Sequence, residues 1–468
     1  MHQRISSALL LAIFLLVNSS AQATDELKAG VALVDITPPI PFRMSGYFYE
    51  RLSTGTKDPL QARAIVFQQG NETAALVFCD VVGVPFDVAT PARKMASKLT
   101  GIPVDHIGVT GTHTHTGPLF FTSLHDRLHA DAVLKNGKDN YDSEPYRAEF
   151  IDKIAEAVNK AKAALEPVTI RSGYAQEDRL SFNRRFHMKD GTVRFNPPTN
   201  SPDIVRVAGP IDPQVGIVVF SKPGVKLPLS AIVSFAMHLD TTGGTLYSAD
   251  YVKSLDDRLK ADFGPDFNVL FGTGTCGNIN HRDVTKETQR NADEIGAMLG
   301  DTVATAIKKG KIKSDGEPTL AVRSVKVPAP LRSYSADEIE KAKKDMTLVG
   351  TRELAFLPSV EACTITDIER LKKNGYPGTL EIQAIRLNHD TAIVMLPSEI
   401  FVELGLAIKA ASPFKTTLVV ELANDDIAYI PTKQAFAEGS YEITNSRVEP
   451  GTGEKLVEAA IGLLKELE

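Results

Sequence analysis

The sequence predicts an α/β fold, a mixed sheet with flanking helices, and two observations lead to this prediction. Short apolar runs alternate along the chain with segments in which apolar residues recur every three to four positions. Uninterrupted apolar runs are typical of strands covered on both faces, and the spaced pattern is typical of amphipathic helices. Regular alternation of the two favours an α/β domain over an all-α or all-β one.

The predicted strands are the apolar runs. In chain order they are Val31–Ile36, Ala62–Phe67, Ala74–Asp80, Ile107–Thr110, Val215–Phe220, Ala231–Phe235, Val269–Phe271, Leu320–Val327, Ala392–Leu396 and Thr417–Leu422. No internal repeat is evident. The stretch Glu177–Pro213 is rich in Asn, Arg, Asp and Pro and follows neither period, so it is predicted to be a long loop.

The predicted helices carry charges opposite their apolar stripe. The clearest follows Ser143, has Pro145 in its first turn, and runs to about Leu165. The others are Val88–Lys98, Val252–Asp262, Ala292–Ile307, Ala336–Met346, Ile400–Ala411 and Gly453–Leu467.

Residues 1–23 have the features of a cleaved signal peptide. Arg4 precedes the apolar run Ala8–Val17, and Ala21-Gln22-Ala23 supplies a small-residue cleavage site. The prediction is therefore a secreted or periplasmic protein. The length of residues 24–468 allows one large domain or two to three ordinary ones. The chain has 52 Lys+Arg and 58 Asp+Glu, a net charge of −6, which argues against a nucleic-acid partner.

The segment Gly111–Pro118 (GTHTHTGP) directly follows the predicted strand Ile107–Thr110. In extended chain, positions i and i+2 point to the same side, so His113 and His115 would present two imidazoles at a strand end. Neutral imidazoles are common ligands of zinc. The alternative is a pair of surface histidines, because H-x-H is a short pattern.

Further polar residues follow other predicted strands. His238 ends one apolar run, and ligands in α/β sheets collect outside the carboxyl ends of strands. Alone, it could equally be a core histidine. Asp240 and Asp250 could orient a ligating histidine or serve as loop and helix-cap residues. Glu399 stands at a helix start, where an acid is also favoured as a cap.

Two more segments have ambiguous roles. Gly272–His281 (GTGTCGNINH) contains three glycines that would let the backbone approach a ligand closely. Its Cys276 has no sequence neighbour that would activate it as a nucleophile, and the three cysteines of the chain are interpreted as buried thiols. Taken alone, Tyr441 is a loop tyrosine.

Together these residues resemble the neutral/alkaline, non-lysosomal ceramidases. The resemblance extends over nearly all of residues 24–468, which favours a single catalytic domain over this range. Its carriers are Gly30–Pro38 (GVALVDITP), Gly46-Tyr47, Lys57–Phe67 (KDPLQARAIVF), Thr110–Pro118 (TGTHTHTGP), Phe182–Arg185 (FNRR), Phe235–His238 and Leu396–Glu399. The TGTHTHTGP match is specific, and the others fall in the same order.

The resemblance implies a zinc-dependent hydrolase that cleaves an amide (N-acyl) bond of a small-molecule or lipid substrate such as a sphingolipid. A lipid substrate would be compatible with contact at a membrane surface. By motif, the family's Zn²⁺ ligands fall on His113, His238, Glu399 and Tyr441. His115 matches a histidine beside the metal that handles substrate or proton, and Arg184 matches an arginine that lines the site.

The sequence departs from the family in two places. Asn280 stands where ceramidases have the serine of a GDVSPN segment, so a serine nucleophile is excluded and attack by zinc-activated water remains. The chain ends after the catalytic region, so no C-terminal immunoglobulin-like domain is expected. A zinc hydrolase of an ester or sugar-linked group on a hydrophilic substrate stays open, since Glu177–Pro213 is polar. So does a non-catalytic binding protein of the same fold.

Overall fold

The computed structural model describes residues 25–225, 227–313 and 316–468, so the segment 1–23 lies outside the described residues. The strands are β1 Lys28–Asp35, β2 Gly55–Thr56, β3 Gln61–Gln69, β4 Glu72–Cys79, β5 Ile107–Gly111, β6 Glu166–Pro167, β7 Thr169–Gln176, β8 Phe182–Asn183, β9 Arg185–Met188, β10 Val193–Phe195, β11 Ile204–Val207, β12 Gln214–Ser221, β13 Ser230–Phe235, β14 Leu246–Tyr247, β15 Asn268–Thr273, β16 Ile279–Asn280, β17 Pro318–Pro328, β18 Thr379–Asn388, β19 Thr391–Met395, β20 Glu399–Ile400, β21 Thr416–Val420 and β22 Tyr429–Ile430.

The helices separate these strands. They are α1 Phe86–Thr100, α2 Ser123–Asn136, α3 Glu144–Ala163, α4 Tyr251–Phe263, α5 Ala292–Lys308, α6 Ala336–Met346, α7 Phe356–Lys373, α8 Val402–Ala411, α9 Lys433–Glu438, α10 Tyr441–Thr444 and α11 Thr452–Leu467. The predicted helices and strands are all present with small shifts at their ends. The α/β class with mixed sheets and flanking helices is confirmed.

One four-strand arrangement recurs three times within the described residues. It is formed by β1-β3-β4-β5, by β7-β12-β13-β15 and by β17-β18-β19-β21. In each unit the first three strands are antiparallel, and the fourth runs parallel to the third. A parallel pair needs a crossover, which α1, α4 and α8 supply in turn. The mixed sheet of the prediction is therefore divided into several mixed sheets, and the topology recurs although the sequence shows no repeat.

The three units share a central core. One face of each sheet contributes side chains to it, including Phe78 from the first unit, Phe220 from the second and Val420 from the third. The opposite faces pack against the helices of their own unit, mainly α1 and α3, α4 and α5, and α8 and α11. Burial on both faces explains why the strand sequences are apolar without alternation.

The segment Glu177–Pro213 is not a structureless loop. It contains the short strands β8 to β11, of which β10, β9 and β11 form an antiparallel sheet. The sequence also missed α2 and α7, which pack against each other beside the first and third units. Across the described ranges, the helices are all too short or too polar to cross a membrane.

Candidate metal centre

The candidate ligands lie just beyond the strand ends of the three units. His113 follows β5, His238 follows β13, and Glu399 follows β19. These strands belong to the parallel pairs, whose carboxyl ends lie at one edge of each sheet. The three units thus each contribute one residue to a common point. His113 adopts a left-handed backbone conformation (φ 75°), which is uncommon for a non-glycine residue and often marks a functional site.

The side chains of these residues meet in the interior. The Glu399 Oε2 atom lies 3.3 Å from His113 Nε2 and 3.2 Å from His238 Nε2. His115 joins them, with its Nε2 atom 3.4 Å from His113 Nε2. The candidate ligand nitrogens of His113, His115 and His238 all lie within 4.8 Å of one another, a spacing that could hold a metal ion.

Backbone carbonyls orient the imidazoles of His113 and His238. His113 Nδ1 is 2.7 Å from the Val82 oxygen, and His238 Nδ1 is 2.9 Å from the Cys276 oxygen and 3.0 Å from that of Ile279. A carbonyl can only accept, so each Nδ1 carries the proton and donates. The Nε2 atoms then direct their lone pairs at the centre of the group. In metal-bound histidines the other ring nitrogen usually donates to a carbonyl or carboxylate in the same way.

These contacts leave a demand for positive charge at the centre. Glu399 Oε2 is buried and accepts no hydrogen bond, although two imidazole nitrogens face it. Burial alone would lower the pKa of His113, but the adjacent Glu399 carboxylate raises it to about 9. Burial would likewise raise the pKa of Glu399, yet His113 and His238 hold it well below its usual range. A metal cation would satisfy the same atoms, so the donor set fits a zinc ion.

His115 is held differently from the other two imidazoles. Its Nδ1 atom lies 3.6 Å from Asp240 Oδ1, and Asp240 accepts a hydrogen bond of 2.7 Å from the Tyr47 hydroxyl. Burial lowers the pKa of His115 to about 4, which keeps the ring neutral at neutral pH. Asp240 therefore fits the orienting role left open by the sequence. Asp250 instead caps α4 by accepting from the Tyr251 backbone N–H at 2.7 Å.

Arg184 reaches the same point from the beginning of the β9 region. Its Nη1 atom is 3.1 Å from His238 Nε2, while Nε donates to Glu442 Oε1 at 2.9 Å and Nη2 to the Gly277 oxygen at 2.6 Å. The side chain is almost completely buried. Glu442 and the Gly277 carbonyl thus fix the guanidinium, leaving Nη1 directed at the metal-ligand group.

A second tyrosine accompanies Tyr441, and the sequence did not reveal it. Tyr429 on β22 pairs in register with Glu399 on β20. The Tyr429 and Tyr441 hydroxyls lie 3.5 Å apart, and Asn445 Nδ2 donates to Tyr441 at 3.3 Å. Burial raises the pKa of Tyr441 to about 12 and holds that of Tyr429 well above its usual value, and the Glu399 charge adds to both shifts. Both phenols therefore keep their protons in the metal-free protein.

The glycine-rich segment Gly272–His281 packs against the strand that carries Glu399. A Cβ on Gly277 would lie 2.7 Å from the Glu399 carbonyl oxygen, so glycine permits the chain to pass directly against β20. Asn280 does not face the ligand group: it bonds to Asn196 Oδ1 at 3.1 Å and to the Arg282 backbone N–H at 3.0 Å. Cys79, Cys276 and Cys363 are buried free thiols, and burial raises the pKa of Cys276 well above its usual value.

A cavity opens onto the ligand group. His113, His115, Glu399 and both tyrosines line it, together with apolar side chains such as Leu119 and Phe121. The lining also includes Asp367 and Arg447, which pair with each other. Apolar walls with a few polar groups are typical of small-molecule sites, so the cavity is the candidate substrate site beside the metal centre.

Solved structures of other proteins have a similar fold. A neutral ceramidase from Pseudomonas aeruginosa superimposes with a TM-score of 0.70 at 19% identity, covering 95% of this chain and 74% of that one. A ceramidase complexed with C2 gives a TM-score of 0.69 at 18% identity, with 95% and 75% covered. No protein-family profile and no curated protein matches the sequence. The mixed α/β chain therefore has a neutral ceramidase-like fold.

Proposed function

We propose that the protein is a zinc-dependent hydrolase that cleaves the amide bond of an N-acyl compound. The observation that carries the proposal is the convergence of His113, His238 and Glu399 on one point, where an unpaired carboxylate oxygen demands a cation. The similarity in fold to proteins named as ceramidases supports an amide as the bond, with ceramide itself as the first lipid to test.

The residues around the centre can each serve amide hydrolysis. When bound, zinc supplies Lewis-acid polarisation of a carbonyl and activation of water. Neutral His115 can accept a proton from the attacking water and return it to the leaving amine. Tyr441, Tyr429 and Arg184 carry hydrogen-bond donors that can stabilise the negative charge developing on the carbonyl oxygen. Either phenol, Tyr441 as the resemblance implies or Tyr429 as register places it, could instead complete the metal-ligand set.

No serine nucleophile is needed for this chemistry. Asn280 is an amide held by Asn196 and by its own loop, so it cannot form an acyl intermediate. We expect the Asn280→Ala variant to keep near-normal activity.

The test is hydrolysis of short- and long-chain N-acyl sphingosines by the purified protein, before and after treatment with a chelator. We expect release of the free amine that stops on chelation and returns with zinc. Zinc binding without amide cleavage, together with cleavage of an ester analogue, would replace the amide with another bond. Absence of zinc from the purified protein would contradict the metal chemistry itself.

Export is a separate part of the proposal. The N-terminal segment ending in Ala21-Gln22-Ala23 supports cleavage after Ala23 and release into the periplasm or medium. N-terminal sequencing of protein recovered from those fractions should begin at Thr24. Recovery of a chain that keeps its first 23 residues would contradict it.

A further inference from the structure

Three carboxylates line the cavity, and they differ in what occupies their oxygens. Glu399 belongs to the candidate metal centre. Asp367 accepts from Ser123, Arg370 and Arg447, so both of its oxygens are used. Asp426 Oδ1 accepts from the Ala428 backbone N–H at 3.0 Å, but within the described ranges no donor reaches its Oδ2. Asp426 is thus the cavity carboxylate with a free acceptor.

The position of Asp426 is fixed close to the centre. Its carboxylate lies against Gly83, where any Cβ would overlap Oδ2, so only glycine allows this approach. Gly83 directly follows Val82, whose carbonyl oxygen orients His113. Two backbone hydrogen bonds hold the turn that carries Asp426: its own N–H donates to Asp425 Oδ1 at 2.8 Å, and its Oδ1 accepts from Ala428. The carboxylate is therefore preorganised beside the metal-ligand group.

The charge of Asp426 is compensated only in part. The cavity wall includes apolar side chains such as Leu119, and the Arg447 guanidinium, which lowers the pKa of Asp426 through space, is bonded to Asp367. Burial raises the pKa of Asp426 to about 6, and the Glu399 charge adds to the shift. Asp426 is partly exposed, so water can reach its carboxylate in the ligand-free protein. A ligand that fills the cavity displaces this water and leaves the acceptor unpaired unless it supplies a donor.

We infer that Asp426 is a specificity-determining residue that accepts a hydrogen bond from a hydroxyl or ammonium group of the substrate, close to the bond that is cleaved. The inference rests on the proposed function, because it places the scissile bond at the metal centre. A plain alkyl amide would fill the apolar part of the cavity but leave Oδ2 unpaired. The preferred substrates are therefore N-acyl amino alcohols or N-acyl diamines, not N-acyl alkylamines.

Three small amides that differ in one group test this inference: N-propylacetamide, N-(2-hydroxyethyl)acetamide and N-(2-aminoethyl)acetamide. The readout is kcat/KM for release of the amine by the zinc-loaded enzyme. We expect the wild type to favour a donor-bearing amide over the propyl amide by about 10-fold or more. Asp426→Ala should abolish this preference. Asp426→Asn should keep a preference for the hydroxyl, because a hydroxyl can accept from the amide NH2 at the Oδ2 position. It should lose any preference for the ammonium, because the amide oxygen stays bonded to the Ala428 N–H.

Asp425→Asn is the matched control. Asp425 is the neighbouring buried carboxylate and is not part of the cavity wall. Its Oδ1 accepts from the backbone N–H groups of Phe86 and Asp426, and the Asn side chain keeps this acceptor while removing the charge. This variant should retain the wild-type preference. A wild type that cleaves all three amides equally, an Asp426→Ala variant with unchanged preference, or loss of zinc from that variant would each overturn the inference.

The inference can fail separately from the proposed function. If the wild type cleaves none of the amides, the proposed function is at fault, and thermal stabilisation by the same compounds then decides about Asp426. Greater stabilisation by a donor-bearing amide, lost in Asp426→Ala, would still support the recognition role. Equal stabilisation of both proteins by all three compounds would overturn it.

Discussion

Two buried polar groups lie at the same cavity and are built in opposite ways. In the metal-ligand group, formed by His113, His238 and Glu399, acceptor atoms face one another at 3.2–3.3 Å. In the ion-pair group, formed by Asp367, Arg370 and Arg447, every contact joins a donor to an acceptor. Apart from the partly exposed Arg370, both groups are almost completely buried. Burial therefore does not distinguish the metal-ligand group from the ion-pair group. The two differ in whether each acceptor faces a donor.

The pKa values express the same contrast. Burial would raise the pKa of Asp367, but Arg370 and Arg447 hold it below its usual range, so the ion-pair group is complete without a ligand. In the metal-ligand group, Arg184 attracts the Glu399 carboxylate through space, and a proton on His113 or a bound cation is needed to satisfy its buried oxygen. The ion-pair group should accordingly govern stability, and the metal-ligand group should govern metal binding and activity.

The largest expected effect comes from removing a candidate ligand. His113→Ala should lower zinc affinity and amide hydrolysis by more than the roughly 100-fold that loss of an outer hydrogen bond typically costs. Zinc per chain after gel filtration and kcat/KM measure the two effects. His125→Ala is the control, because His125 is also buried but bonds to Ser143 and Asp126 away from the site. Equal zinc content in the two variants would remove the distinction between the groups.

The ion-pair group should show the reverse pattern. Asp367→Ala leaves two buried guanidinium groups without their carboxylate, which should lower the free energy of unfolding by about 3–5 kcal/mol. Urea denaturation of the metal-free protein measures this change. The folded fraction should still bind one zinc ion per chain. A variant that unfolds normally but loses zinc would place Asp367 in the metal centre instead.

Arg184 contacts His238 but offers only hydrogen-bond donors, so it is expected to serve the reaction without binding the metal. Arg184→Met should reduce kcat by about 100-fold through loss of a donor to the developing oxyanion. Zinc content should stay near that of the wild type. The Glu442 carboxylate would lose its partner, so a folding check by circular dichroism belongs with the kinetics. Loss of zinc with retained turnover per bound zinc would contradict this role.

The smallest expected effect is the dependence of zinc affinity on pH. In the metal-free protein the pKa of His113 is raised to about 9, above the usual 6.5. Its proton therefore contributes stability below about pH 6.5, and this contribution is lost as the pH rises through 9. Zinc must displace that proton, so its apparent affinity should rise about tenfold per pH unit between these values. Calorimetry in buffers of different ionisation enthalpy should show about one proton released per zinc ion at pH 7.5, and none released would contradict it.

Much of the metal-ligand group could be predicted because local sequence carried the information. His113 follows a continuous apolar run and a glycine, and His238 ends another such run, so both strand ends were visible. Tyr429 was not, because only the pairing of β20 with β22 brings it beside Glu399. Asp426 was equally hidden, since its position against Gly83 at the cavity depends on residues that are distant in sequence.

The fold, too, was predictable from the sequence only in part. Strand runs buried on both faces were recognisable, but the threefold recurrence of their topology was not, because the units share geometry and not residues. The sheet of β9, β10 and β11 was predicted as loop because its strands are only three or four residues long and each contains an arginine. Helix α2 was missed because its apolar stripe is short and most of its surface is exposed.

The most direct test of the central claim is anomalous diffraction at the zinc edge, from crystals of protein purified without chelator. We expect a single strong peak bounded by His113 Nε2, His238 Nε2 and the Glu399 carboxylate, at about 2.0–2.2 Å from each. A direct hydrogen bond between His113 Nε2 and Glu399, with no anomalous peak even after zinc is added, would show that a proton alone satisfies the group and would contradict the claim.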